Sequence, residues 1–315
     1  MQTLVKTTET YKILKSAFSS GRLSHAYVLS LDDEKILRPF LKTLATLYFE
    51  NVKNAKERIE RESFSDCLIF PKDSGKFLTE DAERIVEESA IKPIENEKKL
   101  FVISDFSKAT QAAQNKLLKV LEEPPENVYF LIGTTSTFSV LPTVLSRCKQ
   151  LDVPPFSTDQ VTDYFVRNRL VTGKDKEHLF SCACLCGGRI GLTEKLIADG
   201  DFEPLKNDVE KLLLAEKSSL PAVLKKVGEP KYKKFFFSAF SLVIKDAIVL
   251  KSKVGTISLK PERFLIEKVA DKYSLRALFY AQNEIVKAEK QLFFNAPFSQ
   301  CLQVFLTGLA LENEK

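Results

Sequence analysis

Short apolar runs alternate with helical patterns over the first 155 residues of the chain. Because an amphipathic helix repeats about every 3.6 residues and a buried strand is apolar throughout, the two patterns can be separated. Strands that are apolar on both faces and alternate with helices are typical of a parallel sheet covered on both sides. The pattern therefore predicts an α/β domain of the nucleotide-binding type over residues 1–155. The predicted strands are 26–30, 66–70, 100–103 and 128–133, and the predicted helices between them are 11–18, 36–49, 81–89 and 110–121.

The pattern changes after Pro154-Pro155, beyond which the apolar positions have helical spacing only. We expect a small helical domain over residues 156–203, followed by an all-α domain over residues 204–315. The short helices of the first are predicted at 158–170, 178–186 and 192–198. Those of the second are predicted at 209–214, 220–227, 232–251, 262–273, 275–293 and 298–311.

The composition is that of a globular protein with 44% apolar and 28% charged residues. No stretch has the roughly 18 uncharged apolar residues of a membrane span, and the first residues lack the apolar core of a secretory signal. Six cysteines in 315 residues are too few for a disulfide scaffold, so we expect a cytoplasmic protein with reduced thiols. The net charge is +5, and residues 206–315 hold 19 basic and 12 acidic residues, or +7. This excess indicates a solvated helical surface, with a nucleic-acid patch as the alternative.

The first predicted strand is followed by a helix, which is where a phosphate-binding loop would lie. Such a loop needs glycines, so that backbone N–H groups can close on the phosphates, and then Lys and Ser or Thr. Here the segment contains no glycine, and Asp32, Asp33 and Glu34 stand where the anion would lie. We therefore expect no saturable binding of ATP or ADP.

The third predicted strand ends with Ser104 and Asp105. An ATPase site of this type usually offers two adjacent acids, one for magnesium and one to polarise water. A single Asp at the end of a strand more often caps a helix or bonds within a loop. Asp105 is therefore expected to be structural.

Three motifs carry a resemblance to a known family. They are Ser24-His25-Ala26-Tyr27, the run Leu117-Leu118-Lys119-Val120-Leu121-Glu122-Glu123-Pro124-Pro125, and Ser146-Arg147-Cys148. Together they resemble the AAA+ subunits of the bacterial replicative clamp loader. The resemblance covers about residues 20–155 and is fainter beyond, where it depends on the helical layout and on Phe294-Asn295-Ala296-Pro297. Within that family the degenerate phosphate loop is similar to that of the delta prime subunits of DNA polymerase III, rather than of the gamma/tau motor subunits.

The resemblance implies a non-hydrolysing member of a five-subunit ring, without intrinsic ATPase, in a DNA-directed DNA polymerase holoenzyme. Arg147 would act as an arginine finger in trans at the ATP site of a neighbouring subunit, with Ser146 and Cys148 as the frame of the motif. The alternative for Arg147 is an ion pair with a local carboxylate. No cofactor and no metal are expected.

The implied partners are the gamma/tau and delta subunits in a hetero-oligomer, with the sliding clamp and primed DNA reached through the complex and no membrane. The three predicted domains then correspond to an AAA+ domain at 1–155, a lid at 156–203 and a collar at 204–315. Phe235-Phe236-Phe237 and Phe293-Phe294 are candidate packing residues of the collar's oligomerisation surface, or else core of the domain itself. Two rival functions remain open: an active motor subunit, and a pseudo-ATPase scaffold outside replication.

The chain departs from the family in its cysteines and in its lid. Many delta prime relatives have a four-cysteine zinc module before the second strand, whereas here Cys67 stands alone. Cys182 and Cys186 would share one helix face and Cys184 would turn away from it, which favours buried thiols over a metal site. The nucleotide-sensing arginine of the motor relatives falls at Gly191, and Arg189 matches it only in a register shifted by two residues.

Overall fold

Five parallel strands form a sheet in the first of the two units into which the chain divides, Met1–Pro155 and Phe156–Lys315. This computed structural model describes residues 1–72, 75–168, 170 and 175–314, with only the backbone of Phe293. The strand order is β2-β3-β4-β1-β5, and every neighbouring pair is parallel. The strands are β1 Ala26–Ser30, β2 Cys67–Phe70, β3 Lys99–Ile103, β4 Val128–Thr134 and β5 Lys149–Asp152.

The parallel register brings the carboxyl ends of the central strands to one edge of the sheet. Ser30 of β1 pairs with Thr134 of β4, and Ile103 of β3 pairs with Ile132 of β4. Every residue of β3 is buried, and the rings of Phe101 and Phe130 stack across β3 and β4 with centroids 5.4 Å apart. The expected parallel α/β fold and its four apolar strands are confirmed.

The fifth strand was not predicted. In β5 only Leu151 is buried, while Lys149, Gln150 and Asp152 are exposed, so the segment has no apolar run. Its polar sequence suits the edge position that it occupies next to β1, because charged side chains on an edge strand discourage pairing with another chain.

Seven α-helices accompany this sheet within the described residues of the N-terminal unit. Thr8 and Thr110 cap two of them by accepting from the N–H groups of Tyr11 and Ala113, each at 3.2 Å. The helix predicted over 36–49 ends earlier, and its last turn, Thr46–Phe49, is a 3-10 helix. The helices are α1 Gln2–Lys6, α2 Glu9–Ser19, α3 Glu34–Ala45, α4 Ala55–Glu60, α5 Thr79–Ser89, α6 Gln111–Glu122 and α7 Pro142–Leu145.

The described residues of the C-terminal unit contain nine α-helices. One continuous core joins the predicted lid helices to the later ones, since Cys182 and Leu196 pack in the same cluster as Phe240 and Phe305. The separation of lid and collar at residue 203 stays a prediction. The helices are α8 Thr158–Arg167, α9 Lys176–Leu185, α10 Ile190–Ala198, α11 Phe202–Leu214, α12 Leu220–Val227, α13 Phe236–Ser252, α14 Arg263–Lys272, α15 Leu275–Phe293 and α16 Phe298–Asn313.

A glycine is required at position 188, where the turn between α9 and α10 approaches the backbone just before α8. Gly188 has φ +78°, a conformation that favours glycine, and a Cβ built on it would lie 1.8 Å from the carbonyl oxygen of Phe156. Any side chain at this position would therefore displace the backbone at residue 156.

The phenylalanine triplet lies in the interior of the C-terminal unit, not on an oligomerisation surface. Phe235, Phe236 and Phe237 are 4%, 0% and 2% exposed and belong to the continuous core. The ring of Phe236 also packs against Phe298 with centroids 5.3 Å apart. These three residues are therefore not available as packing residues between subunits, and the alternative of core within the domain is confirmed. The Phe293 side chain lies outside the described part of the chain.

Phe236→Ala should lower the free energy of unfolding of the C-terminal unit by about 3–5 kcal/mol, because it leaves a cavity between α13 and α16. Phe279→Ala is the matched control, since Phe279 lies on α15 and is 55% exposed. We expect Phe279→Ala to lower the free energy of unfolding by less than about 1 kcal/mol. Urea unfolding of the isolated chain, followed by circular dichroism, measures both. Equal costs would contradict the assignment of Phe236 to the core.

Candidate functional site

Three residues connect β1 to α3: Leu31, Asp32 and Asp33. A phosphate loop of the Gly-x-x-x-x-Gly-Lys-Ser/Thr type needs about eight residues to wrap an anion with backbone N–H groups. Here the Leu31 N–H donates to the Thr134 carbonyl at 2.9 Å, and the Asp33 N–H donates to the Leu31 carbonyl at 2.8 Å. The connection is therefore too short to enclose phosphates, and two of its N–H groups are engaged within the chain.

A lysine joins the acidic start of α3 to the end of β3. The Lys108 ammonium pairs with Glu34, and its Nζ lies 3.6 Å from Asp105 Oδ2. Glu34 and Asp105 were both singled out in the sequence, and the structure brings them together through this shared cation.

Asp105 has the structural role that was predicted for it. It is the N-cap of the 3-10 helix Phe106–Lys108, and its Oδ1 accepts from the Ser107 N–H at 3.2 Å. The Ser107 hydroxyl donates to the same oxygen at 2.6 Å and is also bonded to the Thr135 hydroxyl at 2.8 Å. The carboxylate is thus tied into the loop that follows β3.

An arginine that the sequence analysis missed lies at the same edge of the sheet. The Arg38 guanidinium makes two hydrogen bonds to the Glu62 carboxylate, at 2.8 and 2.6 Å. Its Nη1 donates to the Pro71 carbonyl at 3.0 Å and to Ser104 Oγ at 3.2 Å. Ser104 is the first residue after β3, so a guanidinium is bonded at the position where a magnesium site would need a carboxylate.

Glu62 is the anionic partner of this cluster. Lys42 Nζ lies 2.7 Å from the Glu62 carboxylate, in addition to the two bonds from Arg38. Burial would raise the pKa of Glu62, but the hydrogen bonds from Arg38 and Lys42 outweigh it and hold that pKa below its usual value. The pairing therefore favours the charged form of Glu62 at neutral pH.

Arg147 contacts a different set of residues, which belong to α6 and α7. Ser146 is the C-cap of α7, and the Arg147 side chain is 30% exposed. Its Nη2 and Nε donate to Glu122 Oε2 at 3.1 and 3.4 Å, and its Nη1 donates to the Thr143 carbonyl at 2.9 Å. The local ion pair that was the alternative for Arg147 is therefore present, and it leaves part of the guanidinium exposed.

The two neighbours of Arg147 fix the backbone around it. The Ser146 hydroxyl donates to the Thr143 carbonyl at 3.1 Å. Cys148 packs against the sheet's hydrophobic core, and burial raises the pKa of its thiol to about 12. Cys148 is thus a largely buried thiol of low reactivity, and its place in the frame of the motif stays a prediction.

A family model described as DNA polymerase III, delta subunit, matches residues 6–157. A Haemophilus influenzae protein, DNA polymerase III subunit tau/gamma, is 28% identical over 217 residues, which are 64% of this chain and 31% of that protein. Subunit delta' of Bacillus subtilis is 28% identical over 164 residues, 49% of this chain and 50% of that one. The chain thus spans less than two thirds of the length of either relative.

The N-terminal unit belongs to the clamp-loader family of DNA polymerase III. A further relative, DNA polymerase III subunit gamma of Buchnera aphidicola, is 24% identical over 83% of this chain and 73% of its own length. Among solved structures, a gamma subunit-related protein of Thermotoga maritima superposes with a TM-score of 0.42 at 15% identity. That superposition covers 97% of this chain and 100% of that one.

In the segment predicted to be the lid, Arg189 is the N-cap of α10, and Gly191 lies within the first turn of that helix. Gly191 has no side chain with which to contact a nucleotide. Loss of the sensing arginine stays a prediction.

The cysteines of the clamp-loader protein are packing residues in the structure. Cys182 and Cys186 lie in the core of the C-terminal unit, and Cys184, although it turns to another side of α9, is half-buried against the same core. Burial raises the pKa of Cys184 to about 11 and that of Cys67 further. Across the described residues, no three His, Cys, Asp or Glu side chains are grouped so as to hold a metal ion. Within that same part of the chain, no helix combines the length and apolarity that crossing a membrane requires.

Glu62→Gln should lower the free energy of unfolding of the N-terminal unit by about 2 kcal/mol at pH 7, because Arg38 and Lys42 lose their counter-charge. Since the folded-state pKa of Glu62 is lowered, its contribution is present at neutral pH and is lost as the pH falls through that pKa. The difference between variant and wild type should therefore shrink at about pH 3.

Urea unfolding at the two pH values measures this effect. Glu57→Gln is the control, because Glu57 is an exposed carboxylate on α4, close in sequence to Glu62. A cost for Glu62→Gln that stays the same at both pH values would contradict the proposed origin of the stability.

Proposed function

We propose that this chain is a non-hydrolysing, delta prime-like subunit of the clamp loader of DNA polymerase III. In this role it helps to hold the loader ring together and supplies Arg147 to the ATP site of a neighbouring subunit while the sliding clamp is loaded on primed DNA. The observation that carries the proposal is the three-residue connection between β1 and α3. It argues against a motor subunit, which must enclose a nucleotide at that place.

Electrostatics at the sheet edge support the absence of a nucleotide site. Three consecutive carboxylates, Asp32, Asp33 and Glu34, lie at the entry to α3, where the partial positive charge of the helix would otherwise attract a phosphate. A nucleotide triphosphate brings several negative charges and requires a divalent cation. The guanidinium of Arg38 next to Ser104 would repel that cation. The charges at this edge therefore disfavour binding of both the nucleotide phosphates and the magnesium ion.

The geometry of Arg147 supports a role in trans. A guanidinium presents a planar fork of N–H groups that matches phosphate oxygens, and an arginine finger is worth about 10³–10⁵ in rate at its site. Arg147 is partly exposed and is held between α6 and α7, and its pair with Glu122 is near the surface. Such exposed pairs contribute about 0–1 kcal/mol, so a phosphate can compete for the guanidinium at small cost.

The partners follow from the family. Relatives of this chain are named tau/gamma, gamma and delta' subunits of DNA polymerase III. We propose that the chain assembles with gamma/tau and delta subunits as a cytoplasmic hetero-oligomer, and that it reaches the sliding clamp and primed DNA through that complex.

An active motor subunit is the second candidate, and the 28% identity to a tau/gamma subunit favours it. Titration calorimetry of the isolated chain with ATP and ADP, in the presence of magnesium, separates the two. We expect no saturable binding below about millimolar concentration, since the β1–α3 connection cannot wrap a phosphate. The control is a gamma/tau motor subunit under the same conditions. A tight, magnesium-dependent site on this chain would establish the motor alternative instead.

Arg147→Ala should reduce ATP hydrolysis by the assembled ring, stimulated by clamp and primed DNA, by roughly two-fold, because one of several sites loses its finger. Arg147→Lys should recover little, since an ammonium cannot make the forked contact of a guanidinium. Steady-state turnover of the reconstituted complex measures both variants, and the mass of the complex reports whether it assembles.

Arg263→Ala is the matched control for Arg147→Ala. It removes the same charge from an exposed ion pair, the one with Glu267 on α14. We expect it to leave turnover unchanged. If Arg147→Ala instead lowers stability or assembly while turnover per complex stays the same, the finger in trans is wrong and the pair with Glu122 is the whole role of Arg147.

A further inference from the structure

The ion pair of Arg147 differs from the other arginine–carboxylate pairs of the N-terminal unit. Arg38 and Arg58 each use two nitrogens and both oxygens of their partner, at 2.8 and 2.6 Å for Glu62 and at 2.5 and 2.6 Å for Glu95. Arg147 bonds a single oxygen of Glu122, at 3.1 and 3.4 Å. The pairs of Arg38 and Arg58 are closed forks, in which two nitrogens bond two oxygens, and such bidentate pairs are strong. The pair of Arg147 is longer and uses only one carboxylate oxygen.

Glu122 occupies an unfavourable place for a carboxylate. It is the last residue of α6, where the helix carries its partial negative charge and where cations are favoured. Its side chain is 59% exposed, and Arg147 is its cationic partner among the described residues. The carboxylate therefore does not stabilise its own helix end, and its one close interaction is with the guanidinium of Arg147.

The contacts hold the guanidinium in a defined direction. Glu122 takes the edge formed by Nε and Nη2, and the Thr143 carbonyl takes one N–H of Nη1 at 2.9 Å. Nη1 also makes a longer hydrogen bond to the Ser146 hydroxyl at 3.5 Å. A guanidinium has five N–H groups, and these contacts use four of them. Nη2 thus keeps one further N–H for an incoming anion, and the plane of the guanidinium is already oriented by contacts from two helices.

We propose that Glu122 is a positioning residue, which orients Arg147 before the γ-phosphate of a neighbouring subunit reaches it. This inference rests on the proposed role of Arg147 in trans. A long, flexible side chain that is already ordered loses less conformational entropy when it binds, so the oriented guanidinium meets the transition state in a productive geometry. Glu122 itself does not touch the nucleotide. Its removal should lower kcat and leave KM for ATP unchanged.

The test uses a ring in which the motor subunits lack their own fingers, so that hydrolysis reports the site that faces Arg147. In this ring Arg147→Ala should lower turnover by about 100-fold or more. Glu122→Ala should lower kcat by roughly three- to ten-fold, because the guanidinium then samples unproductive orientations. Glu122→Gln should recover turnover to within about two-fold of wild type, because its amide oxygen can accept the same hydrogen bonds.

The double variant Glu122→Ala/Arg147→Ala decides whether Glu122 acts through Arg147. A positioning residue has no effect once the residue that it positions is gone, so the double variant should be no slower than Arg147→Ala alone. Glu123→Ala is the control, since Glu123 is the adjacent exposed carboxylate. We expect it to turn over as wild type does. Analytical ultracentrifugation of each ring verifies assembly.

Each result bears on a different claim. If Arg147→Ala has no effect in this ring, the proposed function fails. If the ring with Arg147→Ala hydrolyses ATP slowly but the ring with Glu122→Ala turns over as wild type does, the proposed function of Arg147 is supported. The positioning role of Glu122 is then overturned. The role is also overturned if the double variant is slower than Arg147→Ala, or if Glu122→Gln is as slow as Glu122→Ala.

Discussion

The burial of β3 and β4 on both faces is the constraint on which the N-terminal unit depends. These strands have almost no polar side chain with which to face water, so helices must cover both sides of the sheet. Parallel pairing then brings the carboxyl ends of β1, β3 and β4 to one edge. Whatever residues follow those strands become neighbours there, which is why this edge is a binding site in many α/β proteins. In this chain the same constraint brings Ser104, Asp105 and the start of α3 together.

Charged side chains pair with one another at that edge. Placing Arg38 partly inside the protein is costly unless each of its N–H groups finds an acceptor. Glu62, the Pro71 carbonyl and Ser104 supply these acceptors, and they come from three separate segments of the chain. The cluster therefore ties α3 to the ends of β2 and β3.

The parts of the fold that the sequence predicted are those with a local signal. The four apolar strands and most helices of eight or more residues follow from periodicity, and the cap of Asp105 follows from its place after a strand. Strand β5 has only one buried residue and could not be found in this way. The pairs of Arg38 with Glu62 and of Arg147 with Glu122 join residues 24 and 25 positions apart. No periodicity reports such pairs, because they depend on how helices pack.

The structural role of Arg38 and the role proposed for Arg147 require different geometries. A guanidinium that is partly buried and held by both oxygens of a carboxylate cannot leave without exposing unpaired charge, so Arg38 is structural. A guanidinium that is partly exposed and bonded to a single oxygen can exchange partners at little cost, since water and the second carboxylate oxygen remain available. Under the role proposed for Arg147, Glu122 is a partner that orients the guanidinium and still leaves it open to a phosphate. A closed fork at this position would hold Arg147 more firmly, and for that reason it would suit the proposed role less well.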